Sequence, residues 1–231
     1  MASWMVHFRI ADGLLDDLIN IDVEKFIVGN ICPDCGEPNS DWSAYNPPNN
    51  VTHWFKDDYM QNKKEPIDFD KFINTYISTT INSKKLSLYI GYYIHLLTDT
   101  LWSDEIYLPS KNKYLTEFAN DNNFIWKLKG DWYDLDHLFL KEHTDFRAFN
   151  IFNKISIFKN IYFEYYSETA IERQIKFICD FYNNFNDTDN RLSRDYIYLT
   201  KEEMNYFVAY SIEKIKTILI NNVSFMKHFV K

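Results

Sequence analysis

Residues 86–102 read LSLYIGYYIHLLTDTLW, a helix-length stretch so nearly uniform in apolar character that it has to lie inside the molecule. His95 and Asp99 interrupt it. One α-helical turn takes 3.6 residues, so this i, i+4 pair shares a face. An imidazole and a carboxylate withdrawn together from water need a partner, and a metal ion satisfies both.

Only five glycines and six prolines occur in 231 residues, too few for the tight turns of an all-β or doubly wound fold. The expected architecture is all-α, a multi-helix bundle, and the length suits a single domain over 1–231. A chain that is 46% hydrophobic and 18% aromatic builds a core rich in Phe and Tyr. The net charge of −8 argues against a stable nucleic-acid complex, because such proteins gather Lys and Arg on one face. It also disfavours adhesion to anionic lipid surfaces. The N-terminus lacks the continuous apolar segment of a signal peptide, and the apolar run 88–97 falls short of the ~20 residues that span a bilayer. No transmembrane segment is expected. Three cysteines form no disulfide framework, so the expected compartment is the reducing cytoplasm.

Helical spacing runs through most of the chain. Residues 2–19 carry Trp4, His7, Ile10, Ala11, Leu14, Leu15 and Leu18 on one stripe. Asp22 is placed to cap a helix over 23–29, and Pro33 ends it, leaving Asp34 on a loop. Prolines, asparagines and aspartates crowd residues 32–51, which predicts irregular chain, packed by its aromatics. Helices are expected from Asp68 to about 81, from Ser83 to about 107, over 115–129, over 132–142 and over 167–185. Thr200 and Glu203 form a capping box ahead of a long C-terminal helix.

Three of the six histidines stand in telling places: His7 on the first helix, His53 after the proline-rich loop, and His95. With Asp34 and Asp99 they offer nitrogen and oxygen donors that suit zinc, with manganese or iron as alternatives, better than calcium. Each has a plainer reading as a core histidine or a turn aspartate. The i, i+4 partnership tips His95 and Asp99 toward a metal.

The strings SWMVHFRIADGLL, FIVGNICPDCGEPN, VTHWF and GYYIHLLTDTLW, in that order, resemble the zinc-dependent phospholipase C family, related to bacterial phosphatidylcholine-preferring phospholipases and single-strand-specific zinc nucleases. The resemblance covers residues 1 to about 145 and implies an all-helical fold with zinc in a cleft. It implies that His7, Asp34, His53, His95 and Asp99 are metal ligands, with Asp99 bridging two ions and Asp34 also acting as general base. The free N-terminal Trp amine that serves as a ligand in the secreted phospholipases has no equivalent in the internal Trp4. Their His-x-x-x-Glu pair is also unmatched, since His137 is followed at the fourth place by Lys141. Both departures argue against a third zinc. Asp134, Asp136 and His137 remain candidate outer ligands or substrate contacts, against a plainer reading as a charged, solvated helix start.

Cys32 and Cys35 form a C-x-x-C without the second pair a zinc ribbon needs and without a βαβ setting for redox work. Arg9 faces away from His7, His143 and His228 read as surface residues, and Trp42, Tyr45, Trp54 and Trp102 are either cleft lining or core. Together these features predict a two-zinc hydrolase of phosphoesters, either small molecules or lipid headgroups met in soluble form. The alternatives are a metal hydrolase of nucleotides or amides, and a non-catalytic metal-stabilised binding module.

Overall fold

In the computed structural model, which describes residues 1–41, 43–58, 66–187 and 190–222, the buried stretch forms the axis of an all-α bundle. The helices are α1 (Trp4–Leu15), α2 (Val23–Gly29), α3 (Asn49–Thr52), α4 (Phe69–Phe72), α5 (Ser83–Trp102), α6 (Leu108–Lys113), α7 (Leu115–Asn120), α8 (Phe124–Glu142), α9 (Arg147–Phe152), α10 (Ala170–Asn183) and α11 (Lys201–Asn222). An antiparallel pair, β1 (Glu37–Pro38) with β2 (Tyr45–Asn46), lies between α2 and α3. Among the described residues no helix is long and apolar enough to cross a membrane.

Helix α5 is buried along nearly its whole length and packs most closely on α2. Two glycines make this possible. A Cβ at Gly29 would strike the Leu88 carbonyl, and one at Gly91 would strike the Phe26 carbonyl, so the two helices meet backbone to backbone. Helix α1 lies across α5 and is backed by α9 and α11. Aromatic side chains fill the space that remains: Trp102 of α5 meets Trp132 of α8 and Phe207 of α11 edge-on at 5.1 and 5.0 Å.

Several boundaries differ from the sequence expectation for local reasons. Asn82, one residue ahead of Ser83, caps α5 by accepting from the amides of Lys84 and Lys85. The helix opening at Asp68 loosens into a wide turn over Ile73–Ile77 and ends there, leaving Ile81 fully exposed. Beyond Trp102 the chain continues through another wide turn, Ser103–Tyr107, into α6. The helix expected over 115–129 breaks after Asn120, where Asp121 accepts from the Asn123 amide and competes with helical bonding. Helix α8 then runs unbroken through Gly130, merging two expected helices into one. Residues 32–51 are less irregular than expected, holding a 3-10 turn at Cys32–Asp34, the hairpin and α3. The capping box forms, with the Glu203 amide donating to Thr200 Oγ1 and the Thr200 amide to Glu203 Oε2.

Candidate metal centre

His7, Asp34, His53, His95 and Asp99 are drawn from α1, the turn after α2, the residue after α3, and α5, and the fold brings all five together. Their donor atoms form two overlapping triads, His7–His95–Asp99 and Asp34–His53–His95, each with its atoms within 4.8 Å of one another. Asp99 Oδ2 lies 3.3 Å from His95 Nε2 and 3.5 Å from His53 Nε2, while its Oδ1 lies 3.5 Å from His7 Nε2. Asp34 Oδ1 lies 3.5 Å from His53 Nε2. The His7 and His95 rings stack 3.8 Å apart and parallel within 1°.

These separations exceed the usual 2.7–3.2 Å of a nitrogen–oxygen hydrogen bond. Two ligands each about 2.0–2.1 Å from a tetrahedral zinc stand about 3.3 Å apart, which the observed spacing matches. Correspondingly, Nε2 of all three histidines and Oδ2 of Asp99 are buried with no hydrogen-bond partner. Four buried ligand-type atoms without a partner, distributed over two overlapping triads, would be costly in an interior left to itself, so the residues present fit a metal.

The surrounding chain sets the orientation of each ring. Asn30, which ends α2 beside the Gly29–Gly91 crossing, offers its carbonyl to His95 Nδ1 at 2.7 Å, so the proton belongs on Nδ1 and the Nε2 lone pair points inward. His53 Nδ1 lies 3.2 Å from the Asn49 carbonyl and 3.0 Å from Thr52 Oγ1, which does the same for its ring. The Tyr92 hydroxyl donates to the Thr52 carbonyl and so ties α3 to α5. Trp54, immediately after His53, takes left-handed backbone at φ 56°, which costs about 1–2 kcal/mol, and the Phe55–Ile67 bridge holds it there. Asp34 is fixed from the other side: Trp4 Nε1 donates to its Oδ2 at 2.9 Å, leaving Oδ1 toward His53.

Burial drives His7 down to about 4, helped by the neighbouring His95. Burial alone would lower His53 too, but contacts with Asp34 and Asp99 outweigh it and raise this imidazole to about 9. Burial pushes the Asp34 and Asp99 carboxyls up. The histidines overcome this in both, and for Asp99 the N-terminal ammonium helps, so both carboxyls sit below their ordinary value.

Asp134, Asp136 and His137 do not join this cluster, nor are they a solvated helix start. They lie buried in the middle of α8. Asp134 is clamped by Arg191 at 2.6 Å and Arg194 at 2.8 Å, and His137 stacks on Phe185 at 3.8 Å. Asp136 accepts from Ser3 Oγ at 2.8 Å and from the Tyr182 hydroxyl at 2.9 Å. Through Ser3 it does reach the centre indirectly, because the adjoining Ala2 amide donates to Asp99 Oδ1 at 2.8 Å. No helical spacing in the sequence signals this clasp, nor the roles of Asn30 and Trp4.

Of the other residues singled out, Trp102 is core, Trp54 packs edge-on against Phe72 and Tyr76, and Tyr45 lies near Asp34. Arg9 points away, donating to Asn205 across the Phe139 ring, and His143 is exposed. Trp42 and His228 lie outside the described residues. Cys32 and Cys35 are buried free thiols that flank Asp34.

A family model described as zinc dependent phospholipase C matches residues 6–206, and the chain belongs to that family. No curated protein and no solved structure matches it. With the two triads, membership makes the chain a metal-dependent phosphoester hydrolase whose cofactor is zinc.

Proposed function

We propose that this zinc-dependent phospholipase C family member is a two-ion phosphodiesterase, a single domain over 1–231 whose ligands are His7, His95 and Asp99 for one ion and Asp34, His53 and His95 or Asp99 for the other. The observation that carries this reading is the convergence of three imidazoles and two carboxylates at ligand-to-ligand spacing, with the three Nε2 atoms and Asp99 Oδ2 lacking a hydrogen-bond partner. The position of Asp99, reaching His7 through one oxygen and His53 and His95 through the other, supports it as the shared ligand.

When bound, the ions supply hydroxide at neutral pH and offset the charge that builds on a phosphoryl oxygen. The chain's own residues do the positioning. The Asn30 and Asn49 carbonyls hold His95 and His53 with Nε2 inward, and the Ala2 amide fixes the rotation of Asp99. Asp34 is the general base: after accepting from Trp4, its Oδ2 keeps one lone pair for the proton of the attacking water, and Trp4 fixes the direction of that lone pair.

The substrate we favour is a small-molecule or lipid-headgroup phosphoester, met in soluble form given the acidic balance of −8. The three free thiols support a reducing, cytoplasmic setting.

His95→Ala removes the side chain common to both triads. The expected outcome is loss of bound zinc by elemental analysis together with loss of phosphodiesterase activity, while helix content by circular dichroism is kept. Full zinc content in this variant would overturn the assignment.

A further inference from the structure

Outside the metal centre, one partly buried charge stands without an ionic partner. Lys129 on α8 is half-buried, and no carboxylate among the described residues pairs with it. Among the described residues its ammonium sits over the Trp126 ring, 4.6 Å from the ring centre. An ammonium partly out of water without an ionic partner is disfavoured unless an anion meets it.

Its placement is traceable through neighbouring contacts. Lys129 and Tyr133 stand one turn apart on the same face of α8. Tyr133 packs edge-on against Phe181 at 5.8 Å, Phe181 against Trp4 at 5.7 Å, and Trp4 donates to Asp34. This face of α8 therefore borders the Asp34 side of the centre. Consistent with that, Asp34 is among the groups that act on Lys129 and on Tyr133 of the same helix face, as it does on Tyr45 of β2, although burial is the larger influence on each. Burial lowers Lys129 and Asp34 pulls it back up. Next to Lys129 in the chain, a Cβ on Gly130 would meet nothing, so among the described residues no other element packs on α8 at that position. The arginines on nearby elements are already committed, Arg173 to Glu37 and the Cys35 carbonyl, and Arg9 to Asn205.

We propose that Lys129 is a substrate-contacting residue whose ammonium binds a non-bridging oxygen of the phosphoryl group at the Asp34 side of the zinc centre. This rests on the metal-hydrolase reading and adds to it a cation supplied by the protein itself. A point charge on a flexible stem suits a phosphoryl oxygen whose position shifts as the ester bond breaks. It also predicts that the phosphoryl group, present in monoester, diester and free phosphate alike, is what this residue recognises.

The test uses zinc-loaded full-length protein and inorganic phosphate as the probe. Calorimetric phosphate affinity is measured for the wild type, Lys129→Met, Lys129→Arg and, as a control on the same helix, Lys127→Met, whose exposed ammonium already pairs with Asp121. Losing one charge-assisted hydrogen bond should weaken phosphate about 10- to 100-fold in Lys129→Met. Lys129→Arg should recover most of this, Lys127→Met should behave as wild type, and zinc content should match in all four. A second readout needs no variant that folds: after reductive methylation with carbon-13, the Lys129 resonance should move on adding phosphate. Unchanged affinity in Lys129→Met, or a Lys129 resonance indifferent to phosphate, would overturn the proposal with zinc binding intact. Wild-type protein that takes up no zinc would instead sink the metal reading, and the role of Lys129 with it. Assaying Lys129→Met against a phosphomonoester and a phosphodiester tells which ester leans more on the contact, and an equal rate to wild type on both would count against it.

Discussion

Two buried polar regions sit within a few helical turns of each other and are built on opposite rules. Along α8, Asp131 and Asp134 are ion-paired to Arg194, and Asp134 also to Arg191. Around α5, three imidazoles and two carboxylates face one another, yet Nε2 of each imidazole and Oδ2 of Asp99 have no hydrogen-bond partner. A buried charge that is paired within the fold is structural, whereas a buried donor set left open is prepared for something that arrives from outside. The contrast separates ligand from scaffold even though both regions consist of the same residue types.

The largest expected effect bears on the open set and comes from pH. A ligating imidazole must be neutral, and in the metal-free protein His53 is held protonated up to about 9 by Asp34 and Asp99. Zinc binding at pH 7 should therefore release about one proton from His53, and apparent affinity should fall about tenfold per unit, roughly 100-fold from pH 9 to pH 7. Calorimetry in two buffers of different ionisation enthalpy measures the proton directly. Without metal the sign reverses. A raised imidazole stabilises the fold fully below its unfolded value of 6.5, and that contribution is lost as pH climbs through about 9. Metal-free protein should thus melt lower at pH 9.5 than at pH 6.5, and a flat profile would show that His53 is not held by its carboxylates.

Asp136 tests whether the two regions are separate, since it sits on α8 but holds Ser3, next to the Ala2 amide that orients Asp99. Asp136→Asn should weaken zinc about 10-fold or more, the scale typical of groups that orient a ligand. A zinc affinity equal to wild type would confine Asp136 to the structural side of the comparison.

Arg194→Met should do the reverse. Removing this partner leaves Asp131 and Asp134 short of counter-charge, costing about 1–3 kcal/mol, less than a fully buried pair because Arg194 is itself about a third exposed. Denaturant titration should record that loss while zinc content stays at the wild-type level. A zinc deficit would mean that α8 carries more of the centre than its geometry indicates.

Much of this organisation was legible in the residue order. The 86–102 stretch declared a buried helix, the capping box at Thr200 and Glu203 formed as read, and His95 with Asp99 marked a shared face. Local competition was harder to see. The break after Asn120 and the continuity through Gly130 turned on whether side-chain bonding at Asp121 outweighed helix propensity, a balance of under a kilocalorie in either direction. Asp134, Asp136 and His137 looked like outer ligands because acids and imidazoles close in sequence resemble a site. Which of them had a partner depended on Arg191, Arg194, Ser3, Tyr182 and Phe185, all remote in the chain.

Periodicity and residue chemistry thus determined that the chain is helical, that α5 is interior and which side chains are able to bind a cation, because helical geometry relates positions only a few residues apart. The tertiary structure alone decided which of those side chains meet. Gly29 and Gly91 let α2 and α5 touch, and that contact delivers the Asn30 carbonyl to His95 and starts the turn that carries Asp34 to His53. Whether a buried acid is neutralised or left waiting is a property of packing between distant segments, and no local pattern encodes it.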